Sequence, residues 1–227
     1  MKVQNKKFLI ISVSFLLLAI TVAVILFCVC ERKETGINPD TVVATVDGEP
    51  IVFAELCLVA GDIRSDVISY FYNTYSAEQT EDFWKSEFNG ENPNLRLYSL
   101  SFEEAVRIKT EQLMMREYGI ADDLSYKTFY DSFIAENKRR AKALENDEII
   151  YGPEQYTEIS YFEYLHNNRL LKLKAAINKK ISGNDELDYS GKIFDAEYQK
   201  RRENITVKPI DEIDKRLKEE FYKLIIG

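Results

Sequence analysis

TVVATVDGEPIVFAELCLVAGDIRSDVISYFYNT, residues 41–74, changes its hydrophobic period half-way, and that change decides the fold. Thr41 to Val46 is apolar and β-branched, Asp47-Gly48 supplies a turn, and Ile51-Val52 follows Pro50 as a brief extended piece. From Phe53 the spacing is helical. Phe53, Leu56, Cys57, Ala60, Ile63, Val67, Phe71 and Thr74 fall on one face, with polar residues opposite. Gly61 weakens this helix by about 1 kcal/mol relative to Ala without breaking it.

Working outward, Phe83, Trp84 and Phe88 lie in a connecting region that closes at the turn-rich NGENPN, 89–94. The next helix is predicted from Ser101, with Glu104 completing a capping box, to Gly119. Phe102, Ala105, Val106 and Leu113 share one side of it, and Ile108, Met115 and Tyr118 another. A helix apolar on two sides is expected between neighbours. A helix over 125–144 carries the stripe Tyr126, Phe129, Tyr130, Phe133, Asn137, Ala141 and Leu144. Another over 154–180 carries Tyr156, Ile159, His166, Leu170, Leu173 and Ile177, and Gly183-Asn184 ends it. The tail offers a helix over 185–201, a β-branched piece Ile205-Thr206-Val207, and a last helix after Pro209 with Ile213, Leu217, Phe221 and Leu224 on one face.

At the other end, FLIISVSFLLLAITVAVILFCVC, 8–30, holds no charge and is followed by ERKE. About 20 apolar residues cross a bilayer as a helix. Lys2, Lys6 and Lys7 precede the run, which predicts a cytoplasmic N-terminus and an exported remainder. The length, and the bulky Phe27 and Val29 before Cys28 and Cys30, favour an uncleaved anchor over a signal peptide. Lipidation at Cys28 or Cys30 is the rival reading.

The expected fold is therefore mainly α: a multi-helix domain with a small two-stranded β element, preceded by one transmembrane helix. The expected division is an anchor at 1–30, a linker at 31–41, a helical domain at 42–183 and a helical tail at 184–227. The tail strand, 205–207, is expected to pair with 42–46, which needs a partner for its backbone groups. The roughly 195 residues beyond the anchor can bury a sizeable core. The 14 tyrosines and 13 phenylalanines are read mainly as that core, because most lie on helical stripes.

With 30 Lys+Arg against 38 Asp+Glu the chain repels phosphate, and its cations are scattered rather than striped, which argues against nucleic acid as a partner. Cys57 stands apart from Cys28 and Cys30, so neither a disulfide framework nor a zinc site is supported; it is read as a small buried apolar residue. His166 is the single histidine and is read as lining a core or groove rather than as catalytic. Asn137, on an apolar stripe, is expected to satisfy a backbone group. Asp122-Asp123 and Asp185-Glu186 sit near predicted helix starts, where the dipole favours acids. No phosphate loop, dinucleotide fingerprint, nucleophile elbow or metal-binding His cluster appears, so no catalytic, cofactor or metal residue is assigned.

VVATVDGEPIVFAEL at 42–56 resembles the opening of the N-terminal domain of the SurA/PrsA-type extracytoplasmic foldases. The likeness continues in order through EDFWKSEFNGENP at 81–93, EEAVRIKTEQLMMREYGI at 103–120, SYKTFYDSFIAENKRRAKAL at 125–144 and IIYGPEQYTEISYFEYLHNNRLLKLK at 149–174. It covers more than half of the chain. Such proteins commonly start their first helix with a polar cap, where this chain has Val52-Phe53. The parvulin domain that many of them carry is expected to be absent: too few residues follow Leu187, and its usual histidine pair cannot be formed. The resemblance implies a membrane-anchored, non-catalytic, chaperone-like protein that binds unfolded or peptide segments of exported proteins. Two alternatives stand beside it, a docking module for one dedicated envelope partner and an unusual peptidyl-prolyl isomerase.

An uncleaved anchor predicts that the mature chain in the membrane fraction retains residues 8–27. Intact-mass measurement showing instead a chain that begins at a lipid-modified Cys28 or Cys30 would overturn it.

Overall fold

The computed structural model describes residues 36–183 and 190–226. The apolar run at 8–30 with Cys28 and Cys30, residues 31–35 of the linker, and Asp185-Glu186 lie outside them. Among the described residues no helix is long and apolar enough to cross a membrane.

Two strands open the domain, β1 (Val42–Val46) and β2 (Glu49–Val52). The turn between them uses positive φ at Asp47 (51°) and Gly48 (85°), the geometry that a two-residue hairpin needs and that Asp-Gly adopts readily. A third strand, β3 (Val207–Pro209), lies antiparallel on the other side of β1, so the order is β2-β1-β3. The sheet thus has three strands where the sequence reading expected two, because the tight turn folds 49–52 straight back onto β1. The tail strand is also two residues later than expected. Val46 faces Val207 and Ala44 faces Pro209, with the proline tolerated on an edge. Thr206 reaches the turn instead: its carbonyl accepts from Asp47 N–H, and its own N–H donates to Asp47 Oδ1 at 2.7 Å.

Six helices follow among the described residues: α1 (Phe53–Tyr75), α2 (Pro93–Glu117), α3 (Tyr126–Glu145), α4 (Glu158–Ser182), α5 (Lys192–Arg202) and α6 (Asp211–Ile226). Helix α1 starts without a polar cap residue. Its first N–H groups are taken by backbone, Phe53 N–H donating to the Thr41 carbonyl and Ala54 N–H to the Pro39 carbonyl. Glu55 reaches back to accept from Val52 N–H at 2.9 Å. Helix α1 buries Phe53, Leu56, Ala60, Val67 and Phe71 in the main core, and Ala54 and Leu58 in a second one; Thr74 is exposed.

Helix α2 begins eight residues before the predicted Ser101 start. Asn92 is the cap, its side chain accepting from Leu95 N–H, and Pro93 occupies the first turn. The Asn-Pro pair that marks a turn also starts this helix. Ser101 is fully buried in mid-helix and its hydroxyl has no hydrogen-bond partner. Helices α3 and α4 match the predicted spans within a few residues and have Ser125 and Thr157 as caps. Helix α3 turns Arg140 and Ala143 inward near its end, leaving Ala141 and Leu144 exposed.

The tail helix α6 packs chiefly on α2 and buries Leu217, Phe221 and Leu224, with Ile213 partly covered. Phe221 meets Tyr98 edge-on at 5.4 Å, and the Tyr98 hydroxyl donates to Asp214. Burial, together with that carboxylate, pushes the phenol pKa well up. Backbone at Glu220 (φ −141°) kinks α6. Asn94 fills the break: Tyr222 N–H donates to Asn94 Oδ1, and Asn94 Nδ2 donates to the Lys218 carbonyl, both at 2.7 Å. Those backbone groups would pair with each other in an unbroken helix.

Asn94→Ala orphans both groups in the core. It should lower unfolding free energy by about 1–3 kcal/mol in urea melts. A variant as stable as the parent would show that the kink satisfies itself.

Candidate functional site

Helix α2 is apolar on two faces, yet Lys109, Thr110, Glu111 and Gln112 are all buried in its middle. Lys109, Thr110 and Glu111 are each directed to a neighbour or to their own helix. Lys109, 2% exposed, places its Nζ 2.7 Å from Glu55 Oε1 at the start of α1. Thr110 returns its hydroxyl to the Val106 carbonyl at 2.7 Å. Glu111 accepts from Arg107 on one oxygen, and its other oxygen lies 2.7 Å from His166 Nε2 of α4. The Arg107 guanidinium is shared with Glu104, whose hydrogen bonds raise its pKa further. The His166 ring stacks on Phe162, one turn earlier, at 6.1 Å.

A carboxylate–histidine pair is a common piece of acid–base machinery, so its surroundings decide its meaning. A cleft between α2, α3 and α4 is lined by Glu55, Gln112, Tyr126, Phe162, His166 and Arg169 among others. Its cavity volume is ≈ 20 Å³, room for about one water. Gln112 Oε1 is buried there without a hydrogen-bond partner. His166 is 8% exposed at this cleft. The pair joins α2 to α4, with Glu111 as the partner that the sequence did not reveal. Among the described residues no group of three His, Cys, Asp or Glu is placed to hold a metal.

The other predicted residues also have structural places. Asn137 pairs with the backbone of Tyr156, accepting from its N–H at 2.9 Å and donating to its carbonyl at 3.0 Å. Asp123 accepts from Ser125 N–H and from the Thr128 hydroxyl, bonds that pull its carboxyl down to about 2 and brace the start of α3. Cys57 is half-buried against the main core.

A second surface lies on the hairpin of α3 and α4, which the sequence stripes outlined without assigning a site. Tyr126, Phe129, Tyr156 and Tyr161 are buried with Ala54 and Leu58 in a core separate from the main one. Phe129 stacks on Tyr161 at 6.0 Å and meets Phe162 edge-on at 5.3 Å. Beyond them Tyr130 and Phe133 are partly covered, and Tyr164 is 51% exposed while stacking on Tyr156 at 5.4 Å. The ring seam thus runs from a closed interior to an open edge. Helix α4 approaches α1 closely at Gly61, where a Cβ would lie 2.8 Å from the end of the Ile159 side chain.

Comparison with family models, curated proteins and solved structures gives no match for this chain.

Lys109→Ala strands the Glu55 charge in the core and should cost about 3–5 kcal/mol in chemical denaturation. The double variant K109M/E55Q, which leaves no charge and keeps an acceptor for Val52 N–H, should cost less. An equal or larger cost for the double variant would mean that the pair contributes packing only.

Proposed function

We propose that this chain is a membrane-anchored, extracytoplasmic, chaperone-like protein that binds unfolded or peptide segments of exported proteins without catalysing a reaction on them. The observation that carries the proposal is the ordered resemblance, from VVATVDGEPIVFAEL to IIYGPEQYTEISYFEYLHNNRLLKLK, to the chaperone domain of the SurA/PrsA-type foldases. The aromatic hairpin supports it. Tyr130, Phe133 and Tyr164 offer ring faces at an open seam, and Leu171 and Ile181 extend exposed apolar surface along α4. Rings with a wet edge make contacts that tolerate many sequences, because they demand apolar area and little hydrogen-bond geometry. Each contact is weak, and clients leave without an energy source. The apolar run at 8–30 would hold this surface close to the membrane from which exported chains emerge.

The full chain in detergent or nanodiscs should delay aggregation of several unrelated unfolded proteins at near-stoichiometric ratios, and should leave proline-limited refolding phases at their uncatalysed tens of seconds. Protection of none, or of a single protein, would overturn the chaperone reading. Acceleration of the slow phase would overturn the non-catalytic one.

A further inference from the structure

Residues 146–157, joining α3 to α4, hold two large apolar side chains almost wholly in solvent. Ile149 is 85% exposed and Tyr151 is 86% exposed. A flexible loop would give such residues little meaning; this one is tied down. Arg140, 5% exposed, donates from Nη1 to the carbonyls of Pro153 at 2.6 Å and Tyr151 at 3.1 Å, and from Nη2 to the Tyr156 hydroxyl at 3.2 Å. Its guanidinium also lies 4.4 Å from the Tyr156 ring centroid. Asn137 holds the Tyr156 backbone from the other side, and Glu148 N–H returns to the Ala143 carbonyl at 2.9 Å. Arg140 and Asn137 thus fix the platform on which Ile149 and Tyr151 stand.

The loop's own charged side chains are all acidic, and exposed Arg139 of α3 lies within electrostatic reach of Glu148. Between Lys142 and Arg169 there is no Lys or Arg, while Glu145 at the end of α3 and Asp147, Glu148 and Glu154 on this loop are all exposed. We infer that the tip at Ile149 and Tyr151 is a docking site for a folded protein presenting an apolar pocket rimmed by Lys and Arg. Two preorganised anchors with solvated acids beside them match the usual anatomy of a small interface, an apolar centre with a charged rim. The acids argue against the other occupants. A second copy would bring the same negative rim, and an anionic lipid surface would repel it. A flexible client is a poorer fit than a pocket, because it must be ordered around a convex tip. This site adjoins the aromatic seam at Tyr156 but does not depend on the chaperone reading.

The test is photocrosslinking of the full chain in its own cell envelope, with benzoylphenylalanine at Tyr151 and, as a control, at exposed Glu203. One discrete adduct is expected at Tyr151 and none at Glu203, mapping by mass spectrometry to an apolar pocket flanked by Lys or Arg. Its yield should fall about tenfold with Ile149→Ser and with E145Q/D147N/E148Q/E154Q, at unchanged melting temperature. If the quadruple variant melts lower, the charge rim is tested on the parent chain by salt, where the adduct must weaken as ionic strength rises. Adducts to the chain itself, to lipid, or to a ladder of unrelated polypeptides overturn the proposal, as does an absent adduct or one insensitive to Ile149→Ser. A ladder would leave the chaperone reading standing.

Discussion

Strand β1 has backbone donors and acceptors on both edges, and the sequence beside it can satisfy only one. The Asp47-Gly48 turn brings β2 to the first edge. The second edge must wait for Val207–Pro209, more than 150 residues later in the chain, because Val43, Ala44 and Val46 are buried and water cannot stand in for a partner. This demand closes the domain. It places α6 beside α2, and it draws Arg201 into ion pairs with Asp47 at 2.9 Å and Glu117 at 3.1 Å. β1–β2 and α1 are local, while β1–β3 needs a long loop closure.

The central helix carries the complementary constraint. Residues 108–115 of α2 are buried all round, and that stretch nevertheless holds Lys109 and Glu111. Each pairs with a different neighbour, Glu55 on α1 and His166 on α4. Apolar packing alone would let α1 and α4 slide along α2 at small cost, since one leucine contact resembles another. Two buried polar pairs at fixed heights remove that freedom, because any slip leaves buried polar groups without their partners. The stabilisation they supply is modest; their effect is on register.

What the sequence revealed follows from how local each signal is. The strand-to-helix switch at Val52-Phe53, the helix start near Ser125 and the stop at Gly183 are written in a few adjacent residues, and the structure has them there, whereas the helix read from 154 starts at Glu158 with Thr157 as its cap. Ser101 with Glu104 had the form of a helix start and lies inside one, because Asn92-Pro93 had already started it; a capping pattern cannot report what precedes it. The partner of His166 was invisible for another reason. Glu111 is 55 residues away, and only the odd placement of a carboxylate among Ile108, Leu113, Met114 and Met115 hinted that something must meet it. Asn137 was legible as a backbone partner from its stripe, but Asn94 was not, since the kink it fills at Glu220 arises only when α6 lies against α2. The tip was hidden because exposure of Ile149 and Tyr151 cannot be read from residue type.

The choice of ring in the α3–α4 hairpin ties the fold to the proposed role. In the main core the largest fully buried side chains are Phe, Leu, Ile and Met, with no tyrosine among them. In the second core tyrosine dominates, as Tyr126, Tyr156 and Tyr161 with Tyr130 at its edge. A phenol needs a partner or water for its hydroxyl, so a core built from tyrosine must stay near the surface or supply polar contacts. This one does both. Tyr126 donates to Glu158, Tyr156 receives Arg140, and Tyr164 remains open. Leucines in the same places would close the hairpin into a dry bundle or, left exposed, would aggregate. Tyrosine allows a seam that is packed enough to hold the arm's shape and wet enough to remain soluble while offering apolar faces. The same requirement accounts for Arg140 and Asn137, which turn inward at the end of α3 where the stripe would otherwise continue with Ala141 and Leu144. Polar atoms there hold the loop, and the loop in turn positions Tyr156 as the first ring of the seam.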